Sequence, residues 1–473
     1  MLFSSITFLY YFLPITMGLY VVAPKRWRNA ILFLASFLFY FWGEPTYCLL
    51  MLVSILAGYL GGLAVWRTQN LKEEIRRLVL FIAVAIPLSF LVVFKYMDFG
   101  ISSLNLVLGT EIPLVKLALP IGISFYTFQI ISYLADVYRK ETPVEKNIIN
   151  MGAYVAMFPQ LIAGPIVRFS SIQRELKERT LSTDQMAKGI GRFVTGLAKK
   201  VLLADLLGEF VLAMDGASGS NTLFLWIVAL AYALQIYFDF AGYSDMAIGL
   251  GLMLGFHFPE NFDYPYRAKS ITEFWRRWHM TLGGWFRDYV YIPLGGSRVS
   301  VSKWIRNVFV VWALSGLWHG ASWNFVVWGL YFGVILVLEK LFLKKWLEKL
   351  PALLQHLYAI VLVVISFVIF RLENFTEAGS YLAGMFGFGL TAAEEGAGMS
   401  LGSYQIRNYG FLIVVAFVIA TGIPKQLWDR IKEQKWGAVF EKAVTPVVYL
   451  ILLLVVTGFL IQSSVHPFLY FRF

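Results

Sequence analysis

Eleven apolar runs, near residues 2–22, 29–43, 47–65, 78–95, 116–137, 148–163, 222–256, 307–339, 352–371, 409–424 and 443–463, dictate the solvent in which this 473-residue chain must fold. A bilayer core is about 30 Å thick, and a helix crosses it in about 20 residues. Several runs are that long. In hydrocarbon every backbone N–H and C=O must be satisfied within the protein, which favours helices. Charged residues make up 15% of the chain, against about 25% in soluble domains. The sequence therefore predicts an all-α polytopic integral membrane protein, one domain over 1–473, with about eleven crossing or re-entrant segments.

The linkers assign sides. Lys25, Arg26 and Arg28 follow the first run, Gly43-Glu44-Pro45 the second, and Arg67, Lys72, Arg76 and Arg77 the third. Basic loops stay cytosolic, which puts the N-terminus and a turn near 98–112 outside, and Arg139-Lys140 inside. The net charge of +11 arises from such loops; nucleic-acid binding would need a soluble basic surface that this pattern lacks. The N-terminal run has no basic n-region or small-residue cleavage site, and reads as a retained span. The single cysteine, Cys48, excludes an intramolecular disulfide and reads as an apolar filler.

After Arg139 the pattern loses its regularity. MFPQLIAGPIVRF (157–169) places Pro159 and Gly164-Pro165 in an apolar setting. Irregular backbone at membrane depth survives only under protein cover or beside a cavity, so a re-entrant segment returning at Arg168 is expected. Over 184–203, Met186, Ile190, Phe193, Val194, Leu197 and Val201 recur at helical spacing, as an interfacial amphipathic anchor would. The run at 222–256 holds Gln235, Asp239, Ser244 and Asp245. Carboxylates there must be paired or face water; they line a tunnel or tie helices together, with a proton relay or ion pathway as the third reading. The loop 372–408 reads as external and 425–442 as cytosolic. No internal repeat appears.

The stretch 267–324 organises the chemistry. It holds two of the five histidines, His279 and His319, and the bases Arg267, Lys269, Arg276, Arg277, Arg287, Arg298, Lys303 and Arg306, opposed only by Glu273 and Asp288. From Arg306 a helix rising 1.5 Å per residue climbs roughly 18 Å to His319, which is mid-membrane in a core about 30 Å thick. The chain breaks at GASWN and runs on to Lys340, Lys344 and Lys345. Basic residues at both ends predict a hairpin entering and leaving on one side. An ionisable group at such depth is a functional candidate. A structural histidine hydrogen-bonded between helices is the plainer alternative.

Other chemistries find little support. GLGLMLG (249–255) lies in a helical run and reads as small-residue packing rather than a phosphate loop. His257, His279, His319, His356 and His466 lack metal-ligand spacing. A desolvated imidazole is biased toward its neutral form, which can take a proton from a hydroxyl attacking a carbonyl. An arginine-rich mouth suits an anionic phosphorylated donor. Acetyl-CoA satisfies both.

Six stretches carry a resemblance: LPIGISFYTFQIISYLADVYR, FPQLIAGPIVRF, YFDFAGYSDMAIGLGLMLGF, NFDYPYRAKSITEFWRRWHMTLGGWFRDYVYIPLGG, LSGLWHGASWNFVVWG and PFLYFRF. In this order they resemble the membrane-bound O-acyltransferase family, specifically its bacterial polysaccharide branch, near the membrane subunits of alginate O-acetylation. The resemblance implies an MBOAT fold with a central tunnel, and re-entrant and interfacial helices. It implies His319 as catalytic histidine and His279 as its partner. Acetyl would pass from cytosolic acetyl-CoA, with no bound cofactor or metal, to an extracytoplasmic SGNH-type partner that acetylates a glycan. Residues 466–473 resemble an external aromatic tail in which Tyr470 relays the acyl group; an interfacial anchor is the alternative. Asp239, Asp245, Ser244, Trp318 and Asn324 are expected around the tunnel, and Arg276, Arg277 and Arg287 at the donor platform. The cytoplasmic (inner) membrane is the expected location. Peptidoglycan O-acetylation or D-alanyl transfer fits the same design. A transporter or an assembly scaffold is the rival of another class, and the lack of inverted repeats counts against the transporter.

Overall fold

The computed structural model describes residues 1–215, 221–389, 395–434, 437–462 and 468–469. The helices are α1 (Phe8–Val22), α2 (Arg28–Gly43), α3 (Cys48–Arg67), α4 (Glu73–Leu108), α5 (Ile123–Arg139), α6 (Ile148–Ala156), α7 (Phe169–Glu178), α8 (Thr183–Ala198), α9 (Leu206–Ala213) and α10 (Thr222–Met253). They continue as α11 (Ile271–Arg277), α12 (Met280–Phe286), α13 (Val301–His319), α14 (Trp323–Leu347), α15 (Ala352–Arg371), α16 (Phe375–Met385), α17 (Glu395–Ala420), α18 (Ile423–Lys432) and α19 (Gly437–Gln462). No strand occurs among the described residues. Among the described residues, seven helical stretches are long and apolar enough to cross a membrane: α3, α4, α10, α14, α15, Ser400–Ala420 and Glu441–Gln462. The expected all-helical, polytopic class is what the chain adopts.

Backbone contacts divide the chain into two compact units, Met1–Phe193 with Ser244–Glu260, and Val194–Tyr243 with Asn261–Phe473. In the first, a ring cluster of Phe3, Phe8, Phe12, Phe39 and Phe158 fills the space between α1, α2 and the segment after α6. That segment, 157–168, is irregular, as its prolines and glycine demand, and Met157, Phe158, Leu161 and Val167 are fully buried. Tyr154 donates its hydroxyl to the Val167 carbonyl (3.1 Å), and Gln160 donates to the Tyr154 carbonyl (2.6 Å). Protein therefore supplies the cover that irregular backbone in an apolar setting requires.

Two expectations shift. The turn placed at 98–112 begins only at Gly109, because α4 runs through a π-bulge at Val92–Tyr96 to Leu108. The Asp98 carboxylate then accepts the N–H groups of Val115 (2.8 Å) and Lys116 (2.9 Å), folding the loop back along the helix. Of the stripe expected on α8 and after it, Phe193, Val194, Leu197 and Val201 are buried, and Ile190 is exposed. Next to Ile190, Gly189 makes its contact through bare backbone: a Cβ there would stand 2.6 Å from the Gly249 carbonyl.

The second unit is built on the α13–α14 hairpin. A Cβ on Gly316 would strike the Phe325 carbonyl, and one on Gly329 the Trp312 carbonyl. A Cβ on Gly333 would lie 3.3 Å from the Phe309 ring, and the Lys340 ammonium sits 3.9 Å over the Trp304 ring. These pairs, 316/325, 312/329, 309/333 and 304/340, define an antiparallel register. Lys303, Arg306, Lys340 and Lys344 consequently share the open end, as the two basic flanks predicted, and His319 occupies the closed end before a turn at 320–322.

Gly316→Val should force the hairpin apart and cost about 1–3 kcal/mol as overpacking does. Gly18→Ala, with nothing near its added Cβ, is the neutral control. Thermal unfolding in detergent compares the two.

Candidate active site

Two short helices deliver His279. Ser270 caps α11 through the Glu273 N–H (3.1 Å). Glu339 of α14 closes the same end from the side: its carboxylate accepts the Ile271 N–H (2.7 Å), the Thr272 N–H (2.8 Å) and the Thr272 hydroxyl (2.6 Å). A carboxylate at a helix N-terminus satisfies orphan donors and complements the dipole. Glu339 can stay buried in the core for that reason, at 3% exposure.

Between α11 and α12 the chain turns sharply at His279, whose φ of 44° and ψ of 50° are left-handed. That conformation costs a non-glycine residue about 1–2 kcal/mol. The segment 261–263 holds it. Asp263 N–H donates to the Arg277 carbonyl (2.9 Å), and Met280 N–H to the Asn261 carbonyl (3.0 Å). The Asn261 side-chain oxygen accepts from Thr281 (2.9 Å) and faces His279 Nδ1 at 3.1 Å. With an amide oxygen accepting, Nδ1 carries the proton and Nε2 is the basic nitrogen. His279 lies outside the seven apolar spans and is 1% exposed. Burial, and then the neighbouring His319, hold its imidazole well below the usual histidine range.

A cavity of about 250 Å³ opens against His279, walled by Trp275, Phe286, Trp312 and Ser315, with Tyr291 and Arg287 also lining it. His319 is not part of that wall. Its ring centroid lies 6.5 Å from that of His279, and it packs edge-on against Trp328 (5.0 Å) and Phe370 (5.5 Å) at 5% exposure. Trp318 stands 5.7 Å from His279 and 5.0 Å from His319, in contact with both rings. Asn324 is fully buried in the first turn of α14, its amide 3.4 Å from the Phe370 carbonyl. The structure thus gathers His279, His319, Trp318 and Asn324 into one aromatic nest.

The remaining candidates are dispersed. Arg287 reaches the cavity while paired with Asp288 at 2.6 Å. Arg277 is held by Asp263 (2.5 Å) and Glu273 (3.0 Å), and Arg276 is exposed. Asp239 is buried against Lys200 at 2.6 Å. Ser244 and Asp245 belong to the first unit, where Asp245 pairs with Arg192 at 2.9 Å and Arg192 also grips Glu260. Tyr470 and His466 lie outside the described residues. Sequence reasoning missed Asn261, Glu339 and Lys200. For Lys200 a signal existed: an aspartate in an apolar helix demands a counter-charge. No periodicity marks Asn261 or Glu339.

An all-helical, multi-pass membrane architecture with two buried imidazoles beside an aromatic-walled cavity defines the class. The chain belongs to the MBOAT, membrane-bound O-acyltransferase family, which it matches over residues 34–376, and it is an acyltransferase. It is 40% identical to the probable alginate O-acetylase AlgI of Azotobacter vinelandii, with 100% of both chains covered. The protein of the same name in Pseudomonas aeruginosa is 42% identical over 91% of this chain and 83% of its own. The peptidoglycan O-acetyltransferase of Helicobacter pylori is 34% identical over 82% of this chain and 80% of its own.

A histidine kept neutral by folding predicts a pH signature. Below its ordinary pKa of about 6.5 the unfolded chain binds a proton that folded His279 refuses, so stability falls as pH drops, by up to about 1.4 kcal/mol per unit. The gap in thermal stability between the wild type and His279→Gln is expected to move against the wild type between pH 7 and pH 5, as measured in detergent.

Proposed function

We propose that this acyltransferase takes acetyl from acetyl-CoA on the cytosolic side of the cytoplasmic membrane. The group then passes outward to an extracytoplasmic SGNH-type partner, for O-acetylation of an exopolysaccharide such as alginate. The observation that carries the reading is the pair of buried imidazoles, 6.5 Å apart, one of them lining a cavity that Arg287 also lines. About 250 Å³ accommodates an acetyl thioester and the end of its arm, while the nucleotide would remain outside. Arginine at the wall favours phosphate or another anionic part of the donor.

The chemistry needs one proton acceptor and one oriented carbonyl. A neutral imidazole at His319 takes the proton as the acceptor hydroxyl forms its C–O bond to the thioester carbonyl. The C–S bond breaks, the thiolate leaves, and the imidazolium returns the proton to sulfur. His279, with Nδ1 pinned by Asn261, is the substrate-binding partner: its Nε2 accepts a hydrogen bond from an O–H or N–H of the bound donor or acceptor. The choice of glycan rests on the relatives: full-length likeness to the alginate proteins supports an exopolysaccharide, and likeness to the Helicobacter protein makes peptidoglycan the second reading.

Purified protein supplied with acetyl-CoA, against a D-alanyl-loaded carrier, tests the donor. Thioester cleavage should depend on acetyl-CoA. His319→Ala should lower the rate about 10²–10⁴-fold, the range of a lost general base. Cleavage that survives in His319→Ala at the wild-type rate would remove the role assigned to it.

A further inference from the structure

A lysine lies in the interior of the second unit, far from any simple purpose. Lys200 follows α8 in the π-turn Lys199–Asp205 that leads into α9, and its side chain is 2% exposed. Its ammonium sits 2.6 Å from Asp205 and 2.6 Å from Asp239 on α10. Two carboxylates share one ammonium, and a buried carboxylate needs every lone pair answered. Asp239 receives its further donor from the far end of the chain: the Leu469 N–H reaches its other oxygen at 2.8 Å. The preceding Phe468 ring lies 4.6 Å from the Lys200 ammonium and meets the Tyr243 ring edge-on at 4.6 Å. Phe468 is 2% exposed. A cation facing a desolvated ring and a charge-assisted backbone bond are each strong where water is excluded. Next to Asp239 along α10, Phe240 packs its ring 4.7 Å from that of His279.

We propose that the buried Lys200–Asp239 pair is a binding site for the chain's own C-terminal segment, with Phe468 and Leu469 as the bound residues. Asp239 and Lys200 act as positioning residues: they hold that segment against Asp239, the sequence neighbour of Phe240, whose ring meets that of His279. Asp239 is tolerated in the apolar helix α10 because Lys200 and the Leu469 N–H answer its two oxygens. The kinetic part of this inference rests on the acetyl-transfer reading above; the binding part stands without it.

Carboxypeptidase digestion of the detergent-purified full chain, followed by intact mass, reads the binding directly. The wild type should resist trimming at Leu469, whereas Asp239→Ala and Lys200→Ala should lose residues 468 and 469. Phe468→Ala leaves the ion pair whole, guards against a misfolded charge variant, and should release the segment as well. Asp239→Asn keeps an oxygen for the Leu469 N–H and should be trimmed more slowly than Asp239→Ala. With acetyl-CoA as donor, Asp239→Ala should lose about tenfold or more in kcat, as misplacement does, with donor KM unchanged. A purely structural loss would move thermal stability and active fraction without that split. Equal trimming of wild type and variants overturns the binding site; release with kcat intact overturns the positioning role. A wild type inert toward acetyl-CoA would instead sink the donor assignment, and digestion would still decide the clamp.

Discussion

At Gly316 and Gly329 two helices touch backbone to backbone, with no side chain between them. In lipid, apolar side chains gain little by meeting one another, because the surrounding tails are as apolar as leucine. Close approach of bare backbone is what holds such helices together. The α13–α14 hairpin depends on it, and the placement of His319 depends on the hairpin. The imidazole stands at the closed end, where Trp328 from α14 and Phe370 from α15 meet it edge-on.

Charge in the interior serves architecture as much as chemistry. Glu339 caps the N-terminus of α11 and so fixes where the helix ahead of His279 begins. Asp239 ties α10 to Lys200, and Asp245 ties it to Arg192. The left-handed turn at His279 is unfavourable by itself, yet Asn261 and the pairing of 261–263 with 277–280 leave it no alternative. Strain tolerated at one residue and supported from several sides is how a reactive group is kept in one pose.

Much of this was legible in the sequence because it follows from period and polarity. The apolar runs, the break after His319, the basic flanks of the hairpin and the irregular segment at 157–168 each have a local physical cause. Two misplacements also have local causes. The helix to Leu108 outlasts its expected turn because ISSLNLVL remains a good helix after the π-bulge. On α8 the expected stripe packs from Phe193 onward but leaves Ile190 exposed, where the neighbouring Gly189, invisible to a hydrophobic pattern, makes the contact. Asn261, Glu339 and Lys200 are partners chosen across distances of 18, 68 and 39 residues from their targets His279, Ile271 and Asp239. No pattern along the chain encodes such choices.

The hairpin's register has one more implication. Its contacts interlock by discrete steps, so the two helices cannot creep past each other by a fraction of an ångström. The smallest slip that restores similar interlocking is one turn, about 5.4 Å. That is close to the separation of the His319 ring from its neighbours Trp328 and Phe370. The imidazole's position is therefore tied to the hairpin's register: a slip of one turn would carry it out of its contacts with Trp328 and Phe370.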